Sequence, residues 1–280
     1  MGSGKGEKPS KNPKKKRKPL APNRAETKPK SKSKREKNRA NLIESKSDNG
    51  KNEEVQAAPA AEQQLSFFVH QFQSANKVQL SSLELDSMKD TCIVELSQDM
   101  GQDVESLGNH MKAAFGPSWK ESLCEKQLLE GKVDPGSPAL LIISSSALRS
   151  IQLLKGFRSL TRDCHALKLF SKHMKVEEQV SMLKNRVNIA SGTPSRIKKL
   201  IDIEALGLSR LAVILLDIHP DVKGYSLLTL PQIRDEFWDL YKNFFHQRLL
   251  QGGMRLCLYG PLPSGSEFSG RKRKRGATED

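Results

Sequence analysis

The chain has no pair of cysteines in C-x-x-C spacing: Cys92, Cys124, Cys164 and Cys257 are scattered through apolar or helical contexts. That excludes a zinc ribbon and a disulfide framework, and favours a reducing compartment. No apolar run reaches the length of a membrane span, so no membrane partner is expected. The N-terminal stretch is basic and polar without the apolar stretch of a secretory signal. Met1-Gly2 resembles a myristoylation start, but Gly6 stands where Ser or Thr is wanted. No H-E-x-x-H or other close metal set appears, since the six histidines lie far apart. Asp217, His219 and Asp221 form a loose cluster that reads as a loop or a remnant rather than a metal site. No aromatic stacking platform of the kind used by single-strand binders is visible. Trp119, Trp238, Tyr241 and Phe237 fall at helical spacing or beside apolar residues, which reads as core packing.

What is abundant is positive charge, and it is unevenly placed. Residues 1–61 hold 18 Lys/Arg against 7 Asp/Glu, and residues 271–280 hold 5 against 2. Residues 62–270 are nearly neutral, with 24 against 23. The basic character therefore belongs to two tails. Residues 1–61 have few aliphatic side chains, too little apolar surface to offset ordering entropy, and Pro9, Pro13, Pro19, Pro22 and Pro29 break any long helix, so they read as a disordered basic arm. Two runs stand out: Lys14, Lys15, Lys16, Arg17 and Lys18, and Arg271, Lys272, Arg273, Lys274 and Arg275. They read as nuclear-import signals, implying an import receptor, or as clamps that bind polyanions by counterion release. A solvated charge run is the plainer alternative.

The composition changes at Glu62. Helices are expected over 62–75, about 103–115 and 118–130, with a short extended segment at 92–96. The loop 131–138, rich in Gly and Pro, separates this helical part from a regular alternation. Apolar runs at 139–143, 166–170, 187–190, 211–216 and 254–259 read as strands buried on both faces. Helices of amphipathic spacing lie between them, the last over 231–250. The expectation is an α/β fold: a single RecA-like, doubly wound parallel sheet with an N-terminal helical extension and disordered basic tails. The divisions are 1–61 for the arm, 62–130 for the helical part, 131–265 for the α/β domain and 266–280 for the tail.

Two strand ends carry candidate binding groups. Gly192, Thr193 and Pro194 follow the third strand, with Thr193 placed to cap the next helix and Pro194 suited to its first position. Arg196 and Lys198 add cations, so free N–H groups and positive charge could cradle one phosphate of a nucleic acid. Ser144, Ser145, Ser146 and Arg149 at a neighbouring strand end could hold a second. An ordinary helix cap is the plainer reading of each.

Strand–Ser-Ser-Ser–helix, strand–Gly-Thr-Pro-x-Arg-Ile–helix and then Leu211-Ala-Val-Ile-Leu-Leu-Asp217 resemble the first RecA-like domain of DEAD-box RNA helicases. The likeness implies that the first two elements hold RNA backbone and that Asp217 begins the Mg²⁺-binding motif. Leu140 to Arg149, Lys168 to Val176 and Gly192 to Ile197 are more closely similar to the Cms-type ribosomal small subunit protein family. That resemblance, over roughly residues 64–265, implies a ribosome-biogenesis factor linked to the small-subunit processome and rRNA processing, located in the nucleus and nucleolus. Its partners would be pre-ribosomal RNA and processome proteins.

The residues for ATP hydrolysis are absent. G-x-x-x-x-G-K-[ST] has one candidate in the body at Gly131-Lys132, where Lys126 replaces the first Gly and Val133 the hydroxyl residue. Ile218 follows Asp217 where Glu is needed, and Tyr259-Gly260-Pro261 replaces Ser-Ala-Thr. No cofactor and no enzymatic activity are therefore expected. The rival readings are an active ATP-dependent RNA helicase and a protein-binding scaffold that touches RNA only through its tails.

Overall fold

In the computed structural model, the described residues are Gly2, 60–127 and 133–263. The basic arm and the Arg271–Arg275 run lie outside them, as do Gly131 and Lys132. The described body is an α/β fold around one five-stranded parallel sheet. The strands are β1 (Leu140–Ile143), β2 (Leu167–Leu169), β3 (Ile189–Gly192), β4 (Val213–Asp217) and β5 (Arg255–Tyr259), in the order β2-β3-β1-β4-β5.

The strand sequences explain their position. β1 and β4 are continuous apolar runs with every residue buried, which is what a central strand covered on both faces requires. Successive side chains then feed two separate cores. Leu141, Ile143, Ile214, Leu216 and Leu256 face one side, and Leu140, Ile142, Val213, Leu215 and Cys257 face the other.

Helices α1 (Ala61–Asn76), α6 (Val176–Leu183), α7 (Pro194–Asp202), α8 (Pro231–Leu240) and α9 (His246–Leu250) supply the first core. The second is filled from α3 (Leu107–Phe115), α4 (Trp119–Leu123) and α5 (Ala147–Leu154) with the turn that follows it. The sheet is thus covered on both faces, as the alternation predicted. The helices before β1 share in both cores. Phe68 and Phe72 of α1 meet Trp238 and Tyr241 at ring-centroid distances between 5.1 and 5.5 Å. Each such pair adds about 0.5–1.5 kcal/mol beyond its buried area.

Several boundaries differ from expectation. The helix expected over 103–115 begins only at Leu107, because Asp103 Oδ1 accepts the Ser106 N–H at 2.8 Å and holds a turn there. Of the helix expected over 118–130, the described residues up to 127 show only α4, and 128–130 lie outside them. The segment at 92–96 makes one parallel bridge, Ile93 to Leu256, rather than a strand. Between α8 and α9, Tyr241–Phe245 is a single π-helical stretch that buries Tyr241 and Phe245.

The short helix α2 (Ser82–Ser87) depends on its cap. Ser81 Oγ accepts from Glu84 N and Glu84 Oε2 accepts from Ser81 N, at 3.3 and 2.8 Å. The Ser81 hydroxyl, donating to Glu84, holds that carboxyl below its ordinary value. Ser81→Ala removes one half of this reciprocal pair, and Tm measured by calorimetry should fall by about 2–4 °C.

Candidate functional site

β1 is where the chain's direction across the sheet reverses. The connection leaving it runs past β3 to the edge strand β2, and the later connections run the other way to β5. In open α/β sheets the crevice at such a point, beyond the carboxyl ends of the strands, is where ligands bind. Here Ser145, Ser146, Arg149, Asp217, His219 and Pro220 line a groove of about 260 Å³.

Its floor is an ion pair between the two central strand ends. Arg149 on α5 donates from Nε to Asp217 Oδ2 at 2.6 Å and from Nη2 to Oδ1 at 2.9 Å. His219 Nδ1 donates to the same Oδ1 at 3.0 Å. The His219 ring lies 4.4 Å from that of Tyr259, and the guanidinium carbon stands 6.0 Å from the Tyr259 centroid. Burial pushes the Asp217 carboxyl upward, but the hydrogen bonds from His219 and Arg149 outweigh it and hold the group below its ordinary value. Asp217 in turn raises the Arg149 guanidinium. Burial pushes the Tyr259 hydroxyl up to about 12.

This arrangement revises the expected role of Arg149. Both edges of its fork are occupied, with Gln152 Oε1 taking a further donor at 3.1 Å. The three serines also divide. Ser144 is buried, with its Oγ 2.8 Å from Ser150 Oγ and donating to Ser146 O at 3.1 Å. Ser146 is exposed and caps α5, accepting from Arg149 N at 3.3 Å. Ser145 is partly exposed on the groove wall.

The second expected cradle is rearranged as well. Gly192 is the last residue of β3 rather than a turn residue, and it is buried. A Cβ there would stand 2.0 Å from the Leu169 carbonyl oxygen, so close approach of β2 explains the glycine. Thr193 is at the N-cap of α7, but its hydroxyl makes no capping bond, and Pro194 is at the first helical position, as expected.

Arg196 donates from Nη1 to Gln179 Oε1 at 2.7 Å and to Met174 O at 3.1 Å, tying α7 to α6 and the loop before it. Lys198 pairs with Asp202 at 2.9 Å and reaches Asp239 of α8 at 3.7 Å. The cations expected to face a phosphate are therefore engaged within the fold. The edge still presents Ser145, Ser146, Thr193 and Ser195 to solvent.

The Arg149–Asp217 pair was not legible in the sequence, because its partners are 68 residues apart and meet only through the β1–β4 pairing. Asp221 turns out to shape its own loop, with Oδ1 accepting from the N–H of Lys223 and of Tyr225 at 2.8 and 2.9 Å. Among the described residues no group of three His, Cys, Asp or Glu is placed to hold a metal ion, and no helix is long and apolar enough to cross a membrane. Among the described residues the Asp217 position does not fit a magnesium ion: its oxygens are held by Arg149 and His219, and the next side chain is the buried Ile218.

Comparison with known proteins adds an independent line. Residues 5–259 match the family described as CMS1, U3-containing 90S pre-ribosomal complex subunit. The chain is 30% identical over 184 residues to Protein CMSS1 of Homo sapiens, covering 65% of this chain and 62% of that protein. It is 29% identical over 186 residues to Protein CMSS1 of Xenopus laevis, covering 66% and 63%. Protein CMS1 of Chaetomium thermophilum is 37% identical over 116 residues, 40% of this chain and 46% of that one. The chain thus spans less than two thirds of the length of these curated relatives. Among solved structures, a DEAD box protein from Methanococcus jannaschii is 18% identical with a TM-score of 0.35, covering 67% of this chain and 50% of that one.

Proposed function

The chain belongs to the CMS1 family of U3-containing 90S pre-ribosomal complex subunits, and from that premise we propose that it is an RNA-associated accessory factor in small-subunit biogenesis without ATPase activity of its own. It acts in the nucleus and nucleolus, where its basic runs engage an import receptor and add salt-dependent affinity for pre-ribosomal RNA. Processome proteins are its other partners.

The observation that carries this reading is the Arg149–Asp217 pair. A carboxylate that ligates Mg²⁺ must have its oxygens open to the ion. Here a guanidinium stands against them at 2.6 and 2.9 Å. On this reading a cation built into the protein stands where Asp217 would otherwise meet a metal. That geometry, with Val133 and Ile218 at the motif positions, supports a body that scaffolds rather than hydrolyses.

The protein-scaffold alternative has one observation in its favour: Leu148, beside the groove, is 70% exposed, and Val222, in the loop that closes it, is fully exposed.

The test has two parts. Crosslinking of bound RNA in cells should recover pre-ribosomal RNA, and recovery of messenger RNA alone would remove the reading. Purified full-length protein with saturating RNA and Mg²⁺-ATP should release phosphate no faster than the buffer blank. RNA-stimulated turnover would restore the helicase alternative.

A further inference from the structure

Trp119 is not a plain core residue. It opens α4 after the exposed Pro117 and Ser118 and is itself only partly buried, with part of its surface packed on the second core. Two ammonium groups converge on its ring. Lys112 Nζ of α3 stands 5.2 Å from the indole centroid and Lys120 Nζ of α4 stands 5.6 Å from it. Lys112 also donates to Asn109 Oδ1 at 3.1 Å.

Neither ammonium has a carboxylate within ion-pair distance among the described residues, in contrast to Arg149 and Lys198. Glu121 is the acidic residue next in the helix, and it lies about 200° round the axis from Trp119. The cations at the strand ends are engaged inside the fold, whereas these two are held at an aromatic face with no ion-pair partner among the described residues.

We propose that Trp119, Lys112 and Lys120 form a binding site for single-stranded RNA, in which an unstacked base lies on the indole and the two ammoniums take its flanking phosphates. The assignment rests on the RNA-associated reading above and moves the body's RNA contact from the strand edge to the α3–α4 face.

Stacking needs an aromatic face of any sequence preference, and backbone binding needs nearby cations. The site combines both across two helices that pack on each other. The lysines lie within cation–π range of the ring, and long flexible stems let them move to a phosphate when a base replaces them. A duplex has its bases already stacked and offers none to the indole. An acidic peptide would use the ammoniums but has no need of the ring, so RNA accounts for more of what is present.

The chain has two tryptophans, so full-length Trp238→Phe leaves Trp119 as the single indole fluorophore. Among the described residues Trp238 Nε1 has no hydrogen-bond partner, so the change removes none there. Titration with a twelve-residue oligouridine should quench Trp119 emission, and an RNA duplex of equal length should not. Trp119→Leu should weaken oligouridine binding about tenfold, read by anisotropy of labelled RNA. Lys112→Gln with Lys120→Gln, both surface changes, should lower the slope of log affinity against log salt by about 1.4.

If oligouridine binds but Trp119 emission, affinity and salt slope are untouched, the site is refuted and RNA association through the tails stands. If no RNA binds, the site and the RNA-associated reading fall together. If polyglutamate quenches Trp119 and oligouridine does not, the face is a dock for acidic protein and the proposal is overturned.

Discussion

Arg149→Ala is expected to destabilise the body by about 3–5 kcal/mol, because it strands a buried carboxylate whose main partner is gone. Asp217 is 2% exposed, and among the described residues only His219 would remain to oppose its charge. Arg149→Met with Asp217→Leu removes both charges and fills similar volume, so it should recover most of the loss. Urea unfolding of the two single variants and the double variant measures the coupling. A double variant no more stable than Arg149→Ala would mean that packing of the long side chain, not the pair, stabilises this edge.

The pH dependence has a definite sign. In the wild type the Asp217 carboxyl is held below its unfolded value, so its contribution is present at neutral pH and is lost as pH falls through the folded value. In Arg149→Ala, burial is less opposed and the carboxyl rises. Protonation then relieves the variant, and its penalty relative to wild type should shrink between neutral pH and about pH 4.

Much of this edge could be read in advance, and the reason lies in particular residues. β1 and β4 were legible because Leu140–Ile143 and Val213–Leu216 are apolar at every position, a pattern only a doubly covered strand tolerates. The end of β3 was not. Ser191 and Gly192 lie past the expected 187–190 and carry no apolar signal, yet both are buried between β1 and β2. The last long helix was legible, but its π-helical stretch at Tyr241–Phe245 was not, since both geometries bury apolar residues at nearly the same spacing.

Charged side chains misled most, while Phe237, Trp238 and Tyr241 are core residues as expected. Arg149 and Arg196 read as open cations because local sequence shows a helix start and not the acceptor 68 or 17 residues away, whereas the partner of Lys198, Asp202, stands only four residues on. Trp119 read as core because spacing reports which face a ring is on, not how much of it is covered.

The second large effect is expected at the opposite edge of the sheet. Arg186→Ala should destabilise the body by about 4 kcal/mol, because two part-buried carbonyls and the buried Asn188 Oδ1 lose a charged donor at once and, among the described residues, only Asn188 keeps another, from Arg210. Arg186 is 7% exposed. It donates to Gln127 O at 2.7 Å, Glu121 O at 2.6 Å and Asn188 Oδ1 at 3.0 Å. Asn188 donates in turn to Glu125 O at 2.7 Å. Arg210 adds weaker bonds to Ser137 O and Ser122 O at 3.1 and 3.4 Å.

Together these groups fasten residues 121–127 to the starts of β3 and β4. No ammonium on a flexible stem reproduces a planar fork reaching three acceptors, so Arg186→Lys should recover less than half of the loss. Hydrogen exchange should show the damage concentrated in residues 116–127. α4 carries Trp119, so the same variant should also shift Trp119 emission to the red and weaken its quenching by oligouridine. A uniform rise in exchange across the sheet, with the α4 segment no worse than the rest, would mean that the two arginines serve general stability and do not position the α3–α4 face.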